Sequence, residues 1–128
     1  MAGIMIKRID HLVLTTQKPW ECLAFYEALG FTRVETAGRY ELRSRNFKID
    51  VHVVGRELPP YAKNVQAGSM EFCFEVDMPL GTVLERLKEK EIVPETEPVV
   101  RSGFGGKMTS VFLRDPDGNL IELAHYSR

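Results

Sequence analysis

The chain is expected to be an α+β protein built from two βαβββ modules, on three observations. The order strand, helix, three strands occurs twice along it. Two segments, "IDHLVLTT" and "MEFCFEVD", alternate apolar and polar residues with the period of a half-buried strand. Each is followed by a segment with apolar residues at helical spacing.

In the first module Leu12 and Leu14 lie on one face of a strand, with His11, Val13 and Thr15 on the other. Pro19 opens a helix predicted over about Pro19 to Leu29, and Gly30 is its stop. Trp20, Phe25 and Tyr26 read as core. "FTRVETA", "RYELRS" and "FKIDVHVV" follow as strands divided by Gly38 and by the turn Ser44 to Asn46. "GRELPPYAKNVQAGS" has two prolines and no periodicity, so it reads as a linker. In the second module Phe72, Phe74 and Val76 alternate with Glu71, Cys73 and Glu75. Asp77 is placed as a helix cap, with Pro79 in the first turn and Leu80, Val83, Leu84 and Leu87 as the apolar stripe. "IVPETEPVV", "MTSVFLR" and "NLIELAHY" are the last strands, and "RSGFGGK" reads as a Gly-rich loop inserted among them. The modules are thus residues 6–54 and 70–126, joined by 55–69.

With 128 residues, 44% hydrophobic and 27% charged, the composition is that of a globular protein. A net charge of -1 and no long basic run give no reason to expect nucleic acid or an anionic membrane as partner. No apolar run approaches the ~20 residues of a membrane span, and the start lacks a signal-peptide core. Cytoplasmic placement and a small-molecule partner are therefore expected. Cys22 and Cys73, without CxxC spacing, read as buried free thiols.

Aligning the modules as a repeat sets "DHLVL" on "MEFCF" and "KIDVH" on "LIELA". His11 then corresponds to Glu71, and Asp50 to Glu122. The faces opposite them hold Leu12, Leu14, Ile49, Val51, Phe72, Phe74, Ile121 and Leu123, which suit packing under helices. If helices cover one side of each curved sheet, the other receives His11, Asp50, His52, Glu71, Glu75 and Glu122. Carboxylates gathered there without a cation would repel one another and carry a desolvation cost of roughly several kcal/mol, which points to a protonated acid or a bound metal. One imidazole with several carboxylates suits Zn, Ni, Mn or Fe(II). Asp50 matches Glu122 by symmetry, while His52 is the better donor and is preferred. The two lie roughly 6.8 Å apart along one strand, so both bind only in a wide site. The competing readings are a structural or solvent-facing histidine for His52, and pocket-lining acids bonded to an arginine such as Arg43 for Glu71 and Asp50. His125 points to the other face and is excluded.

The repeat, "IDHLVL" followed by "FYEALGF", and the closing "RDPDGNLIEL" resemble the vicinal oxygen chelate superfamily of glyoxalases, bleomycin resistance proteins and extradiol dioxygenases, over about residues 6 to 126. The resemblance is greatest to its small glyoxalase-like branch, which includes virulence proteins. It implies one domain over residues 1–128 whose modules pair into a curved cup, within one chain or by exchange across a dimer, and a homodimer is expected. It also implies a divalent metal (Ni, Zn, Mn or Fe) with His11 and Glu122 as ligands. The family's typical ligand at the start of the second module is His, where this chain has Glu71. The resulting candidates are His11, His52, Glu71 and Glu122 as metal ligands and Glu122 or Glu71 as catalytic base. Three functions follow from the resemblance: a metal-dependent glyoxalase-type lyase or isomerase, an Fe(II) ring-cleaving dioxygenase using His11, His52 and Glu122, or a non-enzymatic binder of a drug or metabolite.

Overall fold

A computed structural model describes residues 3–127. Its elements run β1 (His11–Thr16), α1 (Pro19–Ala28), β2 (Thr32–Thr36), β3 (Arg39–Arg43), β4 (Lys48–Val53), β5 (Glu71–Glu75), α2 (Leu80–Glu89), β6 (Val99–Gly103), β7 (Gly106–Arg114) and β8 (Leu120–Tyr126). The chain divides into two compact units, one ending at Gln66 and the next beginning at Ala67. Each holds one four-stranded sheet, ordered β1-β4-β3-β2 and β5-β8-β7-β6, which is the same topology twice.

The repeat alignment is reproduced residue by residue in the parallel pairings. His11 stands beside Lys48 and Val13 beside Asp50 in the first unit; Glu71 stands beside Leu120 and Cys73 beside Glu122 in the second. In the first unit Leu14, Leu42, Ile49 and Val51 bury against Cys22, Leu23 and Tyr26 of α1. In the second, Phe72, Val111, Leu113, Ile121 and Leu123 are buried with Val83 and Leu87 of α2. At about 1.5–3 kcal/mol for each fully buried aliphatic or aromatic side chain, these faces supply the main drive to fold each unit.

Four local expectations are corrected. Trp20 is not core but 57% exposed, its ring meeting Tyr40 edge-on. Helical periodicity carries Cys22, Leu23 and Tyr26 inward and turns Trp20 to the rim. Asp77 does not cap α2, because Pro79 occupies the N-cap position without a side-chain bond. The sixth strand starts only at Val99, since Ile92–Pro98 has no ladder partner and carries two prolines. "RSGFGGK" is not a loop: Ser102 pairs with Lys107 and Gly103 with Gly106, leaving Phe104-Gly105 as a two-residue hairpin turn. Gly103 lets two side-chain ends approach closely, for a Cβ there would lie 2.5 Å from Met108 Sδ and 2.7 Å from Tyr126 Oη, and those side chains would have to shift. Tyr126 Oη in turn accepts the Gly105 N–H at 2.8 Å.

The "DPDGN" segment between β7 and β8 is a closed hydrogen-bonded unit. Asp115 is almost fully buried, and its Oδ1 accepts the N–H groups of Asp117 and Asn119 at 3.0 Å each. Its Oδ2 accepts Asn119 Nδ2 at 2.8 Å, and Asn119 Oδ1 accepts the Met70 N–H at 2.8 Å. Asn119, itself fully buried, therefore ties the start of β8 to the residue ahead of β5. That tie sets the parallel register which places Glu122 beside Cys73.

Candidate functional site

In the first unit, register puts His11, Val13 and Thr15 on one face with Lys48, Asp50 and His52. The His11 ring is set by Asp10, whose Oδ1 lies 2.9 Å from Nδ1. This hydrogen bond holds the Asp10 carboxyl below its ordinary range. With Nδ1 carrying the proton, Nε2 keeps a free lone pair, the arrangement seen where a carboxylate orients a metal-binding histidine. Nε2 faces Asp50 Oδ2 at 3.7 Å. That is too long for a hydrogen bond, and near the ~3.4 Å that separates two ligands of one tetrahedral ion with bonds of about 2.0–2.1 Å.

His52 is placed otherwise. It stands beside Thr15, four positions past Lys48, the strand partner of His11, hence roughly 13 Å along the strand. It makes no hydrogen bond or ion pair to a described residue. Within this unit the structure brings Asp50, and not the preferred His52, to His11.

Asp50 does not bond Arg43. Lys48 Nζ lies 2.9 Å from Asp50 Oδ1 and 2.8 Å from Glu41 Oε2, while Arg43 reaches Glu41 at 2.8 Å. The Lys48–Asp50 contact is an ion pair poorly aligned as a hydrogen bond, since Oδ1 is buried without a well-directed donor. The Glu41 carboxylate first and then that of Asp50 raise the Lys48 pKa, and Lys48 and then Arg43 lower that of Glu41. The acids of this face thus have cations of their own, which the expectation of uncompensated carboxylates did not include.

The second unit differs. Glu71, Cys73 and Glu75 share a face with Glu122, and Glu71 is exposed with no hydrogen bond or ion pair to a described residue. Glu122 is half-buried, and its Oε2 accepts the hydroxyl of fully buried Ser110 at 2.6 Å. The Arg101 guanidinium lies 5.5 Å above the ring of Phe112, the strand neighbour of Glu122, so this face also carries a cation, though no ion pair joins Arg101 to Glu71 or Glu122 among the described residues.

Cys73, expected buried, is exposed, whereas Cys22 is buried as expected. Partial burial of its thiol, then the Glu122 carboxylate by charge and hydrogen bond, and then Glu75, push its pKa up to about 11. Since the thiolate is the nucleophile, iodoacetamide at pH 8 is expected to label Cys73 in the folded chain about 100-fold more slowly than in the urea-unfolded chain, followed peptide by peptide by mass spectrometry. Equal rates would contradict this environment. Asp10, Lys48 and Ser110 were not among the residues singled out from the sequence, and Cys73 was read there only as a buried thiol. Lys48 and Cys73 were legible there, because they share the strand alternation of Asp50 and Glu71.

Among the described residues no three His, Cys, Asp or Glu side chains gather closely enough to hold a metal ion. What exists is a donor pair in the first unit, His11 with Asp50, and a tethered carboxylate in the second. Nitrogen and carboxylate oxygen donors of this kind fit a borderline or hard divalent cation. No helix among the described residues is long and apolar enough to cross a membrane.

Residues 8–123 match the model of the Glyoxalase/Bleomycin resistance protein/Dioxygenase superfamily. The chain is 38% identical over 125 residues to virulence protein STM3117 of Salmonella typhimurium, covering 96% of this chain and 87% of that protein. The crystal structure of that protein superposes with a TM-score of 0.93 at 37% identity, over 97% of this chain and all of the other. An integron cassette protein from V. cholerae gives a TM-score of 0.92 at 40% identity, over 97% and 98% of the two chains. The lactoylglutathione lyase of Agrobacterium tumefaciens is similar in fold alone, with a TM-score of 0.72 at 20% identity over 95% and 96%. With its duplicated βαβββ topology and a family match spanning nearly the whole chain, this protein belongs to the Glyoxalase/Bleomycin resistance protein/Dioxygenase superfamily.

Proposed function

We propose that this protein is a metal-dependent lyase or isomerase of the glyoxalase type, acting on a small oxygen-bearing substrate. Its donors to a divalent ion (Ni, Zn, Mn or Fe) are His11 and Glu122, with Asp50 as a further donor from the first unit. The observation that carries this reading is the histidine whose Nδ1 is occupied by Asp10, while Nε2 is left open toward Asp50 Oδ2 at 3.7 Å. When bound, such an ion supplies Lewis-acid polarisation of two neighbouring substrate oxygens.

The chain's own groups then divide the remaining work. Ser110 fixes one oxygen of Glu122, which suits that carboxylate to a constant position as a ligand. Glu71 has no such tether and lies on the same face, two strand positions from Glu122, so it suits proton removal from the carbon next to a carbonyl. Asp10 holds the His11 tautomer, and Lys48 with Glu41 steadies Asp50. The dioxygenase reading needs His52 next to His11, and the register of β1 and β4 gives it no support.

Turnover of methylglyoxal with small thiols, assayed on the protein loaded separately with Ni, Zn, Co or Mn, is the test. Product formation with at least one ion is expected. No turnover with any of the four, by protein shown to hold the ion, would overturn the glyoxalase-type reading in favour of binding without catalysis.

A further inference from the structure

Register sets Arg101 on the same face of the second sheet as Glu122. Arg101 stands opposite Met108 of β7, Phe112 lies further along that strand on the same face, and Phe112 stands opposite Glu122 of β8. The exposed guanidinium lies 5.5 Å above the Phe112 ring and makes no hydrogen bond or ion pair to a described residue. Arg33, Arg43 and Arg114 differ, each having a carboxylate oxygen at 2.6, 2.8 and 2.9 Å respectively. Stacking on a ring occupies the flat side of a guanidinium. Its in-plane N–H groups, a fork that matches a carboxylate, stay open.

We propose that Arg101 receives a carboxylate of the substrate, and that the protein acts on small acids whose carboxylate and metal-held oxygens belong to one short chain. This rests on the metal-dependent reading above and narrows its substrate class. Charge favours such a ligand in one orientation. Glu71, Glu75 and Glu122 share the face, so an acid is repelled by them and attracted at Arg101, which turns its neutral oxygens toward Glu122.

The span sets the size of the acid. Side chains directly opposite each other in an antiparallel pair stand about 5 Å apart, so Glu122 and the Phe112 ring are separated by roughly that much. A further 5.5 Å reaches the guanidinium, for roughly 10 Å in all. An ion on Glu122 takes up about 2 Å of this and the hydrogen bonds to Arg101 about 3 Å. The remaining span, roughly 5 Å, is that of a chain of about four carbon atoms. The Phe112 ring lies beneath such a chain as an apolar floor.

Isothermal titration of the zinc-loaded full chain with two probes, succinic monohydroxamate and butyrohydroxamate, is the test. Both offer two adjacent oxygens to an ion, and only the first carries a carboxylate. The parent is expected to bind the first at least ~10-fold more tightly, and Arg101→Gln to bind the two within about twofold of each other. Equal affinities in the parent, or a preference that survives in Arg101→Gln, would overturn the proposal and reduce the stack on Phe112 to packing. A second reading needs no metal. In the ¹H–¹⁵N spectrum the Arg101 Nε–H signal, identified by its loss in Arg101→Gln, is expected to shift with butyrate and not with butyramide at equal ionic strength. A signal that ignores butyrate would overturn the carboxylate site whatever the metal does. A shift with butyrate in protein that holds no zinc would support the carboxylate site and remove the glyoxalase-type chemistry instead.

Discussion

Asn119→Ala is expected to lower stability by roughly 3–5 kcal/mol, a large fraction of the ~5–15 kcal/mol that holds an ordinary domain together. The side chain is fully buried and works at both ends: Nδ2 donates to Asp115 Oδ2 and Oδ1 accepts from the Met70 N–H. Truncation strands a partly buried backbone donor and an oxygen of a buried carboxylate, the second of them shielded from the water that would replace its partner. Asn119→Asp should also destabilise, because it sets a second carboxylate against Asp115. Thermal unfolding is the measurement, with a fall of about 10–20 °C expected for the alanine variant. A change within ~3 °C would show that Asn119 is not the bolt between β8 and the start of β5. Gly68 belongs to the same corner: its φ is +83°, and a Cβ there would lie 2.5 Å from the Asp117 carbonyl oxygen.

His11→Ala should weaken divalent-metal binding by at least ~100-fold, more than is typical when only a residue supporting a ligand is lost. In free energy that is about 2.7 kcal/mol. The same loss should appear as metal-dependent thermal stabilisation that the parent shows and the variant lacks. Glu71→Gln is the informative contrast. As a base without a tether it should keep the metal and lose roughly 10²–10⁴ in kcat. Isothermal titration with Zn or Ni separates the two roles. Unchanged metal affinity in His11→Ala would remove that residue from the ligand set.

Much of this was legible in the sequence because strand alternation and internal repetition are local signals with global consequences. Laying one module on the other makes His11 equivalent to Glu71 and Asp50 to Glu122, and the two parallel registers repeat that equivalence. Registers across strands are harder to see. Ligand chemistry favoured His52 over Asp50, yet in a parallel pair the neighbour of His11 is set by stagger, and stagger brings Asp50. Lys48 was assigned no role in the sequence, although two acids at 2.8–2.9 Å make it the balancing charge of the face. "RSGFGGK" misled by composition: glycines that suggest a loop are in fact used for a tight hairpin and for the approach of Met108 and Tyr126 to Gly103. In "DPDGN" the burial of Asp115 and Asn119 is not a local signal, and Asn119 bonds Met70, a residue remote in the chain.

The most direct test is an anomalous-difference map from a crystal of the protein loaded with Zn or Ni. One strong peak is expected, with His11 Nε2 and a Glu122 carboxylate oxygen each about 2.0–2.2 Å away. An ion bound by neither side chain, or no ion after saturating soaks, would contradict it.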